Sequence, residues 1–203
     1  MRKLAGSLVV AGVVLLAAPA PAEEGHEHPA MTPEQQAEME AYMKAGTPGE
    51  PHRWLATTAG SYHLAIKSWH EPGGPATEDV GTAKRTMTLD GRVLVEDVSS
   101  SMMGMPFTGR GMTGFDNVSG KYWSTWMDSM STGIMVSEGT CDAQHACSYS
   151  GSWNDPIKQG PVKARMTSRW TGPTTQVFEM YGPDRSGKET KMMEIVYTKQ
   201  DRG

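Results

Sequence analysis

Residues 60–67 read Gly-Ser-Tyr-His-Leu-Ala-Ile-Lys, and their alternation decides the fold. Tyr62, Leu64 and Ile66 fall on one face of an extended chain, with His63, Ala65 and Lys67 on the other. Side chains of a strand point alternately to its two faces, so this pattern is a strand with one buried side. The same texture runs on to the C-terminus. A second strand is expected over 77–89, after which Asp90-Gly91 turns the chain, since both residue types tolerate the positive φ of a tight hairpin. The next strand covers 92–100. Further strands are expected over 107–116 and 121–128 around the turn 117–120, and over 133–141 and 147–154. The last three are 161–170 and 174–181 around Gly172-Pro173, and 189–199 after the turn 183–187.

These are about ten short strands in sequence, with no long helix between them. An open sheet of that size leaves two unpaired edges, and closure removes them. The expected fold is therefore all-β, an antiparallel up-and-down barrel over residues 52–203, with a two-layer sandwich as the alternative.

Upstream of the barrel, Thr32-Pro33-Glu34-Gln35 has the capping residue, first-turn proline and glutamine that open a helix, and Gly46 closes it. Met39 and Met43, four apart, are placed to dock this helix on the barrel. A Pro/Gly break over 47–51 leads into a short helical turn around 54–59. Residues 23–51 thus form a polar arm and an N-terminal helix.

The chain opens Met1-Arg2-Lys3, then an apolar run over 4–18, then Ala18-Pro19-Ala20-Pro21-Ala22. A basic start, a short apolar stretch and small residues at alternate positions mark a signal peptide over 1–22, with cleavage expected after Ala22. The apolar run is shorter than the roughly 20 residues a membrane span needs. No second long apolar stretch follows, so no membrane span is expected after cleavage. The location expected is periplasmic or secreted. Loss of residues 1–22 removes two positive charges and no acid, moving the net charge from −4 to −6. That balance argues against nucleic acid, whose binding rests on basic groups neutralising phosphates. The two cysteines, Cys141 and Cys147, are expected to form a disulfide clamping two strands at a hairpin.

Several motifs carry a resemblance. Gly60-Ser61-Tyr62 resembles the Gly-x-Trp signature that opens the first strand of lipocalins, with tyrosine in place of tryptophan. Leu89-Asp90-Gly91-Arg92, Pro106-Phe107-Thr108-Gly109-Arg110-Gly111 and Gly114-Phe115-Asp116-Asn117 resemble one bacterial family, as do Trp126-Met127-Asp128-Ser129 and Met193-Glu194-Ile195-Val196-Tyr197. It is the domain of unknown function 1579 family, whose members look like calycin-type barrels. The resemblance spans nearly all of residues 52–199 and implies a fold with no established activity.

The residues that carry chemistry do not assemble into a catalytic set. There is no Gly-x-Ser-x-Gly elbow, and the glycines over 109–114 lie in a strand pattern with no following helix, unlike a phosphate loop. His26 and His28 sit on the polar arm, where a His-x-His pair can capture a metal ion. His52, His63, His70 and His145 are scattered, and His63 should point outward. No cofactor is indicated. The sixteen methionines, with Met102, Met103 and Met105 in one cluster, offer thioethers to Cu(I), but also fill irregular cores and line adaptable pockets. Alternation places Arg165 and Arg169 outside the barrel. Asp128, near a strand end and hence near a barrel mouth, is the acid of first interest.

The leading reading is a binding barrel. Eight strands give an interior that side chains just fill, and more leave space. Tyr62, Leu64, Ile66, Met87, Trp126, Met166 and Trp170 are candidate wall residues for a small apolar or amphipathic ligand, with Tyr122 and Trp126 supplying hydrogen bonds at the rim. Two alternatives stand beside it: a periplasmic copper protein using Met and His, and an enzyme with a polar site at the mouth, for instance Asp128 with Arg165 or Glu194. The sequence says nothing of oligomeric state.

Overall fold

A computed structural model describes residues 31–201. Two helices, α1 (Pro33–Gly46) and α2 (Glu50–Thr57), precede ten strands. These are β1 (Gly60–Ser68), β2 (Thr77–Thr88), β3 (Val93–Met102), β4 (Met105–Asp116), β5 (Lys121–Asp128), β6 (Met135–Cys141), β7 (Cys147–Asp155), β8 (Gly160–Trp170), β9 (Thr175–Pro183) and β10 (Glu189–Lys199). Each strand pairs antiparallel with its neighbours in sequence, and β1 also pairs with β10, so the sheet is a closed barrel and not a sandwich. The closing register sets Leu64 opposite Tyr197 and Ile66 opposite Ile195. Their apolar faces thus meet on one side of the sheet, as a strand period of two requires. The expected signal peptide, its cleavage after Ala22 and the His26/His28 arm lie outside the described residues.

Local chemistry sets the turns. Leu89, Asp90 and Gly91 all have positive φ, so the β2–β3 turn takes four residues where the sequence reading allowed two. Met103 and Gly104, with φ of 54° and 77°, make the two-residue turn between β3 and β4. Cys141 and Cys147 stand opposite each other on β6 and β7 and are joined by the expected disulfide.

The helices differ in what they bury. Thr32 and Gln35 form the capping box that starts α1. Its far end is tied to the barrel by Arg92, which donates to the Gly46 carbonyl, and by Asn117, which donates to the carbonyls of Ala45 and Thr47. No residue of α1 is buried, and Met39 and Met43 stay 50% and 65% exposed, against the expected docking. The barrel end they would cover is already closed by α2. Leu55 of α2 packs with Leu94 and Tyr122, and Trp54 meets Tyr122 edge-on while stacking on His145 at 4.5 Å. The Tyr62 hydroxyl donates to the Thr58 carbonyl at 2.5 Å, fixing the chain as it passes from α2 into β1.

Candidate functional site

Inside the barrel is a cavity of about 520 Å³. Leu55 and Thr58 border it at the end closed by α2. At the other end it reaches the loops, where Trp69, His70, Met103, Ser131 and Ile134 border it. Its wall is largely apolar: Ile66, Phe107, Trp126, Met166, Phe178 and Ile195 all face it. A concave, mostly apolar space of this size with a few polar groups is the form of a small-molecule site.

Trp126 owes its place to glycines on the neighbouring strand. Gly109 and Gly111 of β4 lie under the indole, and a Cβ at Gly109 would run into the ring. The ring therefore lies flat along the wall, stacked at 6.4 Å on Phe107. Its Nε1 donates to Asp128 at 2.9 Å, and the other carboxylate oxygen of Asp128 accepts from the Met130 backbone. Asp128 is thus a positioning acid beside the cavity.

The polar part of the wall is centred on Arg85, which shares the inward face of β2 with Ala83 and Met87. Its side chain is only 9% exposed. Nε donates to Glu96, directly opposite on β3, and Nη1 donates to Gln176 Oε1 at 2.7 Å. The guanidinium carbon lies 4.7 Å from the Tyr62 ring centre and 4.5 Å from that of Tyr197, so two aromatic faces hold it. The Tyr197 hydroxyl donates to the second oxygen of Glu96. Burial works against the charge on Arg85, but the adjacent Glu96 outweighs it and holds the guanidinium above its ordinary range. Burial, reinforced by the Glu96 charge, likewise raises Tyr197 and keeps its phenol protonated. Arg85, Glu96, Gln176 and Tyr197 all border the cavity.

Of the residues expected to bind, Ile66, Trp126, Asp128 and Met166 border the cavity. Tyr62 and Leu64 are buried with Tyr197 in the core beside it, and Trp170 packs against that cluster. Met87 and Tyr122 fall at the closed end, against the Leu55–Leu94 cluster, so Tyr122 does not share the mouth with Trp126. The polar mouth drawn from Asp128 with Arg165 or Glu194 is not assembled. Arg165 pairs outside with Glu189 at 2.8 Å, and Glu194 with Lys191 at 2.8 Å. Met102 and Met103 both border the cavity, Met103 from the β3–β4 turn and 74% exposed, while Met105 is 46% exposed and does not border it. Among the described residues no three His, Cys, Asp or Glu side chains come together in a metal-binding group.

The sequence reading missed Arg85 and Glu96. The signal was present: Glu96 interrupts the inward series Leu94, Val98, and Arg85 stands between Ala83 and Met87 on the opposing strand. Two opposite charges in facing apolar series mark a buried pair.

The cysteine bridge, together with the lack among the described residues of any helix long and apolar enough to cross a membrane, is compatible with an extracellular protein. A search of curated proteins finds no match. The family described as protein of unknown function (DUF1579) matches residues 47–199, which takes in α2 and all ten strands. The chain belongs to the DUF1579 family.

Proposed function

We propose that this is an exported protein whose barrel holds a small, largely apolar ligand in its interior. The observation that carries the reading is the cavity of about 520 Å³ inside a closed barrel, within the range of roughly 300–1,000 Å³ typical of ligand pockets. Methionines add to its wall at Met102, Met135, Met180 and Met193, and their unbranched, polarizable chains let an apolar wall adapt to its guest. Export rests on the basic, then apolar, then small-residue start of the chain and agrees with the cysteine bridge.

The test is native mass spectrometry of the protein purified from its own host, with extraction and identification of any retained molecule. A stoichiometric small apolar adduct is the expected result. A protein that carries nothing, and takes up no apolar fluorophore such as Nile red after delipidation, refutes the reading.

A further inference from the structure

From the polar group beside the cavity we infer the class of ligand: an apolar molecule carrying an uncharged hydrogen-bond acceptor, such as an ester, ketone, amide or alcohol, and not a carboxylate. This rests on the carrier reading above and narrows it.

Arg85 and Glu96 neutralise each other, with side chains 9% and 16% exposed. The group is therefore already neutral before a ligand arrives. Both Glu96 oxygens are in use, one accepting from Arg85 and the other from Tyr197. Donors are left over. Arg85 has more N–H groups than Glu96 and Gln176 accept, some of them turned to the Tyr62 and Tyr197 hydroxyls, and Gln176 Nε2 has no hydrogen-bond partner among the described residues, since that amide turns its oxygen to Arg85. Gln176 Nε2 is not sealed from solvent: Thr125 Oγ1 is the sole sealed side-chain polar atom without a partner among the described residues. Both residues border the cavity, and the Gln176 amide N–H is the donor left for a guest. A buried donor wants an acceptor, and a ligand that supplies one replaces water there without loss.

An anionic head would satisfy the same donors but would add an uncompensated charge to a neutral, enclosed site next to Glu96. Charges taken out of water without a counter-charge are strongly disfavoured. A cationic head meets the same penalty beside Arg85 and finds both Glu96 oxygens taken. An uncharged acceptor meets neither.

The test uses the full chain and a matched ten-carbon series followed by isothermal titration calorimetry: methyl decanoate, 1-decanol, decanoate and decylammonium. The uncharged pair is expected to bind, with decanoate and decylammonium weaker by about a hundredfold. Decanoate equal to or tighter than methyl decanoate overturns the inference and leaves the carrier reading standing. No binding by any member removes both. A second measurement uses Glu96→Gln, which leaves the positive charge of Arg85 uncompensated. In that variant decanoate should overtake methyl decanoate and raise the melting temperature. An unchanged order of affinities would show that the Arg85–Glu96 balance does not set the preference.

Discussion

Removing the carboxylate of Glu96 while leaving Arg85 in place tests the buried pair directly. Each side chain is largely shielded from water, and Glu96 is the only anion within salt-bridge distance of Arg85 among the described residues. In Glu96→Ala the guanidinium keeps the Gln176 oxygen and two aromatic faces, but no counter-charge. Breaking a buried pair from one side costs about 3–5 kcal/mol. Arg85 borders the cavity, which places the expected loss near the lower end, about 3 kcal/mol. For a domain of this size that is a fall in Tm of about 6–12 °C. Arg85→Met strands Glu96 in the same way, with only the Tyr197 hydroxyl left to it. The double variant Arg85→Met/Glu96→Ala removes both charges and should lose clearly less than the sum of the two singles, giving a coupling energy of about 2 kcal/mol or more. Urea unfolding of the four proteins, with unchanged m values, measures this. Single losses under about 1 kcal/mol, or losses that simply add, would mean the pair is solvated through the cavity, and the neutral-site argument would fall with it.

Three further outcomes follow from other contacts. Gly109→Val sets a branched side chain against the Trp126 indole and should cost about 1–3 kcal/mol, with altered tryptophan fluorescence; an unchanged spectrum and stability would contradict the described seat of the ring. Replacing Cys141 and Cys147 by serine opens a loop of sequence separation 6 and should cost about 2 kcal/mol, because so short a loop confines the unfolded chain only modestly; circular dichroism of the variant should still report the barrel. On the outer face, hydrogen bonding to Lys191, then to Arg169, holds Glu179 below the usual carboxylate range. Burial opposes the charge on Lys191, yet Glu179 and Glu194 raise it to about 12. The contribution of Glu179 is present above its ordinary value of 4.5 and is lost as pH falls below it; that of Lys191 is present below 10.5 and is lost as pH rises through about 12. Glu179→Gln should therefore flatten the acid arm of a stability-versus-pH curve; an arm left as steep as before would deny the network any part in it.

The strand plan was legible because its signals are local. Tyr62, Leu64 and Ile66 alternate within six residues, and Asp90-Gly91 and Gly172-Pro173 mark turns by residue type alone. The disulfide was legible for the same reason, since its cysteines flank one turn. Closure followed from strand number and the cost of exposed edges. What could not be read was depth along the barrel. Tyr122 and Trp126 share a face of β5, but four residues separate them, about 13 Å of strand at roughly 3.3 Å per residue. One packs at the closed end and the other against the open cavity. A face assignment fixes inward or outward and leaves the level to the register of ten strands. The docking of α1 failed because α2 had taken the surface and because α1 itself has hardly any apolar face to bury. Arg85 and Glu96 were missed because each was read within its own strand, whereas their meaning lies in being opposite each other.

The family motifs gain a physical sense from the same geometry. Phe107, Gly109, Gly111, Trp126 and Asp128 fall in two of the stretches that carry the resemblance to the family, and they form one assembly: a ring, the two glycines beneath it, an aromatic neighbour and an acid on its nitrogen. The glycines belong to a strand, where that residue weakens the sheet and is tolerated when something must approach the backbone closely. Here the approaching group is the widest side chain available. Pressed against β4, the indole keeps its bulk on the wall; lifted off by a Cβ, it would have to move toward the interior, where the space is. A sequence selected only for a stable barrel gains nothing from two glycines facing its own core, since larger apolar residues there would bury more surface. Their presence is what the chain needs if the interior is to remain open while still being lined by a large aromatic face.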